Sequence, residues 1–180
     1  MGQFKTFAPG AEVTGESIFA MTEALGPFRR AGLKILADHG LGEPQPGKWY
    51  SYQAYMDALK EISEKFGRKT LESIGLKLPD TAKWPANVDS IEKALASIDG
   101  AYRLNVRGDA EGYYRFEKTG ARAGKMTCHN PRSCDLDTGL ITGTARKFKP
   151  ADSAMVRVTH DDTQPCRAKG ADSCTFVVTW

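Results

Sequence analysis

The hydrophobic period changes at Gly100, and that change limits the folds open to this chain. Before Gly100 the apolar residues recur at helical spacing, and after it they alternate mainly as in strands, with one helical stretch among them. Ile18, Met21 and Leu25 suit a helix over Thr14 to Leu25, with Thr14 as its N-cap. A second helix is expected from Pro27 to His39, with Pro27 in its first turn and Gly40 as its stop. The clearest stripe is Tyr55, Met56, Leu59, Ile62 and Phe66, closed by Gly67. A short helix around Thr70 to Ile74 and a long loop at Leu78–Pro85 follow. Asn87 then caps a helix that Gly100 closes. Strands are predicted over Ala101–Arg107, Gly112–Lys118, Gly124–Thr127, Ala154–Thr159 and Thr175–Trp180, with a helix over Asp135–Phe148 inserted among them. That order predicts an α+β fold, N-terminal helices packed on a mainly antiparallel sheet with one inserted helix. Residues 1–13 read as a lead-in and 14–180 as one domain.

Composition removes several function classes. With 180 residues, 41% of them hydrophobic, the chain can bury a core without disulfides. No apolar run approaches the roughly 20 residues of a membrane span. A net charge of +3 is too small to indicate nucleic acid. The first ten residues hold no apolar leader segment, so a cytoplasmic protein is expected.

All four cysteines lie in the last third: Cys128, Cys134, Cys166 and Cys174. Thiolates are soft ligands, and four of them, or three with a histidine or carboxylate, complete the tetrahedron that zinc prefers. Pro131, Pro165 and Gly170 put them in turns, and His129, His160, Asp161 and Asp162 add ligand types nearby. Disulfides and inert buried thiols are the competing readings. His129 is also a candidate cofactor ligand, as an axial partner of a haem, and His160 a candidate to orient a ligand or bind a metal. Aromatic clusters, among them Trp84, Tyr102 and Tyr113, read as core or as the lining of a small-molecule pocket. No nucleophile elbow, phosphate-binding glycine loop or dinucleotide fingerprint is present, so no catalytic set is assigned.

Two segments carry a family resemblance. Cys134-Asp-Leu-Asp-Thr-Gly139-Leu-Ile-Thr-Gly143, followed by Phe148, resembles the helix-opening motif of the 4-vinyl reductase domain family. Cys166-Arg-Ala-Lys-Gly170-Ala-Asp-Ser-Cys174-Thr-Phe-Val-Val-Thr-Trp180 resembles that family's closing motif. The wider superfamily includes haem-NO-binding domains and Golgi-transport tethering subunits. The resemblance is best over Ala101 to Trp180 and implies helices on an antiparallel sheet with a pocket between them. In the phenol-sensing regulators of this family, three Cys and one Glu hold zinc beside an aromatic-ligand pocket. Cys134, Cys166 and Cys174 match those cysteines. The Glu position is Thr163 here, so the fourth ligand falls to Cys128, His160, Asp161 or Asp162. Cys128 is preferred because four thiolates close the site without water. Asp162, adjacent to the family's Glu position, comes second.

The leading expectation is therefore a small-molecule sensor with a structural zinc beside a pocket for an apolar or aromatic ligand. The alternatives are a tetrapyrrole-binding protein (haem or chlorophyll-type) or reductase accessory, and a protein-interaction module that would form a stable oligomer such as a homodimer.

Overall fold

The computed structural model describes residues 2–108 and 112–180, and the single residue of the lead-in outside that range is the first. A three-residue strand, β1 (Glu12–Thr14), leads into α1 (Gly15–Ala24), where the Thr14 side chain accepts from the Ser17 N–H as the cap position requires. A short 3-10 turn (Gly26–Phe28) precedes α2 (Arg29–Asp38). Strand β2 (Trp49–Ser51) runs straight into α3 (Tyr52–Phe66), which buries the predicted stripe of Tyr55, Met56, Leu59 and Ile62. Gly67, at a φ of 86°, makes the sharp joint to α4 (Arg68–Thr81). Then come α5 (Ile91–Asn105), β3 (Val106–Arg107), β4 (Tyr113–Gly120) and β5 (Ala123–His129). The chain ends with α6 (Cys134–Lys147), β6 (Arg157–His160) and β7 (Cys174–Thr179).

The strands form two antiparallel sheets. One is small, in the order β2-β1-β3, and the other has the order β4-β5-β7-β6. Alternation along β5 and β7 buries Met126, Cys128, Cys174, Phe176 and Val178 on one face. The architecture is α+β with one helix inserted between strands, as the change of period predicts. Among the described residues no helix is long and apolar enough to cross a membrane.

Three expectations are corrected. The short helix at Thr70–Ile74 is a fourteen-residue helix that continues through Pro79. Proline there removes the N–H that would bond the Gly75 carbonyl four residues back, so the last turn lacks one helical hydrogen bond and the helix ends two residues later. The Pro79 carbonyl accepts from Trp84 Nε1 at 2.8 Å. The helix capped by Asn87 starts later, on Ser90, and does not stop at Gly100. Ile91, Leu95, Ile98 and Tyr102 form one buried helical stripe across that glycine, so Ala101–Asn105 is helix and only Val106–Arg107 is strand. The lead-in also packs closely on the rest: the Phe4 N–H bonds Pro131 O at 2.6 Å, and Thr6 is buried with Gln53 as its partner.

Helices α4 and α6 cross at glycines. A Cβ at Gly139 would overlap the Glu72 carbonyl, one at Gly143 the Leu76 carbonyl, and one at Gly75 the Leu136 carbonyl. The backbones therefore approach as only glycine allows, and neither can retreat without opening the core between them. Gly139→Ala is expected to destabilise the protein by about 3 kcal/mol or more. A denaturant midpoint close to wild type would show that the crossing can open.

Candidate functional site

The last helix and the last hairpin bring three sulfurs and an imidazole together. Ser133 caps α6 by accepting from the Leu136 N–H, which sets Cys134 at the first helical position. Cys166 precedes a 3-10 turn (Arg167–Lys169) closed by Gly170 in the left-handed conformation, and Cys174 opens β7. His160 ends β6, beside β7. The ligand atoms of Cys134, His160, Cys166 and Cys174 lie within 4.8 Å of one another. Cys134 Sγ is 3.0 Å from Cys174 Sγ and 3.8 Å from Cys166 Sγ, and Cys166 and Cys174 are 4.0 Å apart. Zinc bonded at about 2.3 Å holds its sulfurs roughly 3.8 Å apart, so the two separations to Cys166 match a tetrahedron and the Cys134–Cys174 pair is closer than one would hold it.

The imidazole carries an independent sign of such a role. His160 Nδ1 bonds Asp162 Oδ1 at 3.0 Å, while Nε2 is buried with no hydrogen-bond partner. A carboxylate on one ring nitrogen and a bare second nitrogen is how metal-ligating histidines are held. The cluster is also electrostatically prepared. Cys174 is held well below the ordinary thiol range by the hydrogen bond from Cys134 and by the Arg167 guanidinium and N–H. Cys134, the proton-bearing partner, is pushed up correspondingly. The donor set fits zinc or another thiophilic divalent ion.

Of the residues singled out as metal ligands, Cys134, Cys166 and Cys174 converge, and His160 joins them. Cys128 does not. It is fully buried opposite Cys174 across β5 and β7, and burial, with the Asp137 carboxylate next, pushes its thiol far up. Asp162 is exposed and reaches the cluster only through the His160 ring. His129 is elsewhere, stacked between Phe7 at 4.6 Å and Tyr113 at 5.1 Å. Its sequence neighbour Cys128 faces inward and it faces outward, as alternate strand positions must.

A cavity of about 480 Å³ opens among α1, α3, α4, α5 and α6. Its walls are mostly apolar and include Tyr55, Trp84, Ile98, Tyr102 and Leu140, with Arg132 from the loop before α6. Trp84 and Tyr102 line it as the aromatic pattern suggested, whereas Tyr113 stays with His129. Sequence reading missed Arg132, since a lone arginine in a turn carries no pattern. Its guanidinium sits 5.2 Å over the Tyr102 ring and reaches Tyr114 Oη at 3.4 Å. It has no carboxylate partner among the described residues, and its Nε lacks a hydrogen bond. Thr144 Oγ1, on a residue that lines the same cavity, is likewise buried and unbonded.

The cavity does not suit a histidine-ligated haem. None of the chain's three histidines lines it: His39 caps the end of α2 and pairs with Glu61 at 2.8 Å, and the other two are placed above. Of the lining phenols, burial pushes Tyr55 up, against the phenolate that would bind iron.

Metal analysis of protein purified without a metal-affinity step is expected to find about one zinc per chain. Cys166→Ser and His160→Ala should lose it and Cys128→Ser should keep it. Equal zinc in His160→Ala and wild type would remove the imidazole from the set.

No family model matches this chain and no curated protein does. Solved structures do. An H-NOX domain studied for haem distortion superposes with a TM-score of 0.70 at 16% identity, covering 93% of this chain and 94% of that one. An oxygen-binding H-NOX domain related to soluble guanylate cyclases, in its oxygen complex, gives 0.68 at 14%, covering 92% and 94%. An H-NOX protein from S. oneidensis in its Fe(II)NO state gives 0.65 at 14%, covering 92% and 97%. The neighbours belong to the haem-NO-binding part of the expected superfamily, and the 4-vinyl reductase family itself finds no match. This chain has the fold of the H-NOX domains.

Proposed function

We propose that the protein is a ligand-binding domain of the sensing kind, taking into the inter-helical cavity an apolar ring system that carries an acidic group. The observation that carries this reading is Arg132. A guanidinium stays charged in any protein, and holding one half-buried, with its Nε enclosed and no anion beside it among the described residues, is costly. The four buried tyrosines whose phenols face its charge, Tyr114, Tyr52, Tyr102 and Tyr55, soften that cost without cancelling it. An acidic ligand would cancel it while the aromatic walls take the ring. The volume lies in the range of small-molecule sites.

A tetrapyrrole belongs to this class, being flat, largely apolar and carboxylate-bearing. Structural neighbours favour it, since two of them were studied for haem distortion or haem redox potential. In this chain a tetrapyrrole would be held by ring and carboxylates, with no histidine on a central metal. Zinc, in this reading, is a structural ion at Cys134, His160, Cys166 and Cys174, clamping β6 and β7 to the start of α6.

Two pairs of probes test the reading. Pyrene-1-carboxylate and 1-pyrenemethanol share a ring body and differ in charge. The carboxylate should bind more tightly, and Arg132→Met should weaken it by about 1.5–3 kcal/mol, roughly ten- to a hundredfold, without changing the alcohol. Haemin and iron-free protoporphyrin IX should bind alike. A strong preference for haemin, with a Soret band of a histidine complex, would overturn the site assignment; indifference of all four to Arg132→Met would overturn the reading itself.

A further inference from the structure

The cavity and the thiol cluster are joined through the interior by an unbroken run of buried polar groups. Arg167, 1% exposed, directly follows Cys166, and both its backbone N–H (3.2 Å) and its Nε (3.4 Å) donate to Cys174 Sγ. Two members of the thiol cluster therefore bracket it. Its guanidinium pairs with Asp137, which is fully buried on the first turn of α6, and also donates to the carbonyl and side-chain oxygens of Asn130. Asp137 Oδ2 takes a further bond from Asn130 Nδ2 at 3.2 Å. Asp137 Oδ1 accepts from Tyr114 Oη at 2.6 Å, and Tyr114 Oη accepts from Arg132 at 3.4 Å. Arg167, Asp137 and Tyr114 are buried, and Arg132 is half-buried at the cavity wall.

We propose that Tyr114, Asp137 and Arg167 are positioning residues that couple metal loading at the thiol cluster to ligand binding at Arg132. The ligand half of the coupling rests on the acidic-ligand reading above, and the path rests on the contacts alone. A metal on Cys166 and Cys174 fixes the two sulfurs between which Arg167 is held. Arg167 then fixes Asp137, Asp137 fixes the Tyr114 hydroxyl, and that hydroxyl fixes the cavity guanidinium. A guanidinium already ordered costs less to order again when an anion arrives, so the metal tightens the ligand. Linkage requires that the ligand tighten the metal by the same factor.

Tyr114→Phe is the informative variant. It deletes the single hydroxyl between Asp137 and Arg132 and leaves the Asp137–Arg167 pair and every thiol in place. Zinc affinity is read by chelator competition with and without saturating pyrene-1-carboxylate. In the wild type the ligand should raise zinc affinity about fivefold or more, within the range usual for coupled sites. In Tyr114→Phe the ratio should fall to about one while zinc stoichiometry is kept. A coupling that merely reflects unfolding of the zinc-free protein would survive in Tyr114→Phe, and that result overturns the proposal, as does a wild-type ratio of one.

A ligand-free measurement separates the two readings. The Nε–H resonance of Arg132, assigned by its absence in Arg132→Met, should shift on zinc loading in the wild type and stay in place in Tyr114→Phe. If the pyrene acid does not bind but the shift is seen, the ligand reading fails and the path stands. If no shift is seen, the path fails whatever binds.

Discussion

Asp137 and Arg167 make the contact on which the site half of the molecule depends. Neither side chain touches solvent, and each would be ruinous there alone. Together they hold three pieces of chain that no strand ladder joins: the first turn of α6, the loop at Asn130 and the turn between Cys166 and Cys174. The pair also sets the charge of its surroundings. Arg167 draws the Cys174 thiol down, and burial, with the Asp137 carboxylate next, pushes the Tyr114 phenol and the Cys128 thiol up. A protonated Tyr114 can only donate to Asp137, which leaves its own oxygen lone pairs toward Arg132. Replacing the ion pair with apolar residues of equal volume would keep the packing and lose this ordering of protons.

That dependence explains which features could be read from the sequence. The stripe on α3, the α6 motif and the alternation in β5 and β7 each lie in one segment, where periodicity is a local property. Cys134, Cys166 and Cys174 were legible because two flanking motifs marked them. The fourth position could be narrowed only to Cys128, His160, Asp161 or Asp162, because His160 approaches through the β6–β7 pairing, and register is not written in spacing. Cys128 looked like the better ligand by chemistry alone, but although it shares a sheet face with its partner Cys174, its thiol lies against Asp137 and Arg167 and outside the cluster. Gly100 misled for the opposite reason. A glycine reads as a helix stop, yet its flank is open and the stripe from Ile91 to Tyr102 holds the helix past it. Arg132 and Asp137 gave no signal at all, since their meaning arises only when Tyr114 and Arg167 stand beside them.

The likeness to the H-NOX domains and the contents of the cavity point to different chemistry. The fold is shared over more than nine-tenths of the chain. A fold supplies the location of a pocket, and its chemistry depends on the few side chains that reach it. Here those are phenols, an indole, aliphatic carbons and a guanidinium, with the histidines distributed elsewhere. An iron centre needs a strong axial donor, whereas a guanidinium needs an anion. The cavity offers the second and lacks the imidazole of the first.

His160 stands at the thiol cluster and not at the cavity, and this division has a physical sense. His160 stands at the end of β6, an edge strand held to the sheet by β7 alone. Edge strands fray unless something ties them. A metal bonded to His160, Cys174 and Cys134 at once would tie the edge strand, its neighbour and the inserted helix at one point, at the end of the sheet where β6 runs out. The same point lies one residue from Arg167, so the clamp on the sheet edge and the alignment of the buried polar run share their origin. A metal there would tie down a sheet edge and, through the buried groups that run from Arg167 to Tyr114, would reach the wall of the cavity.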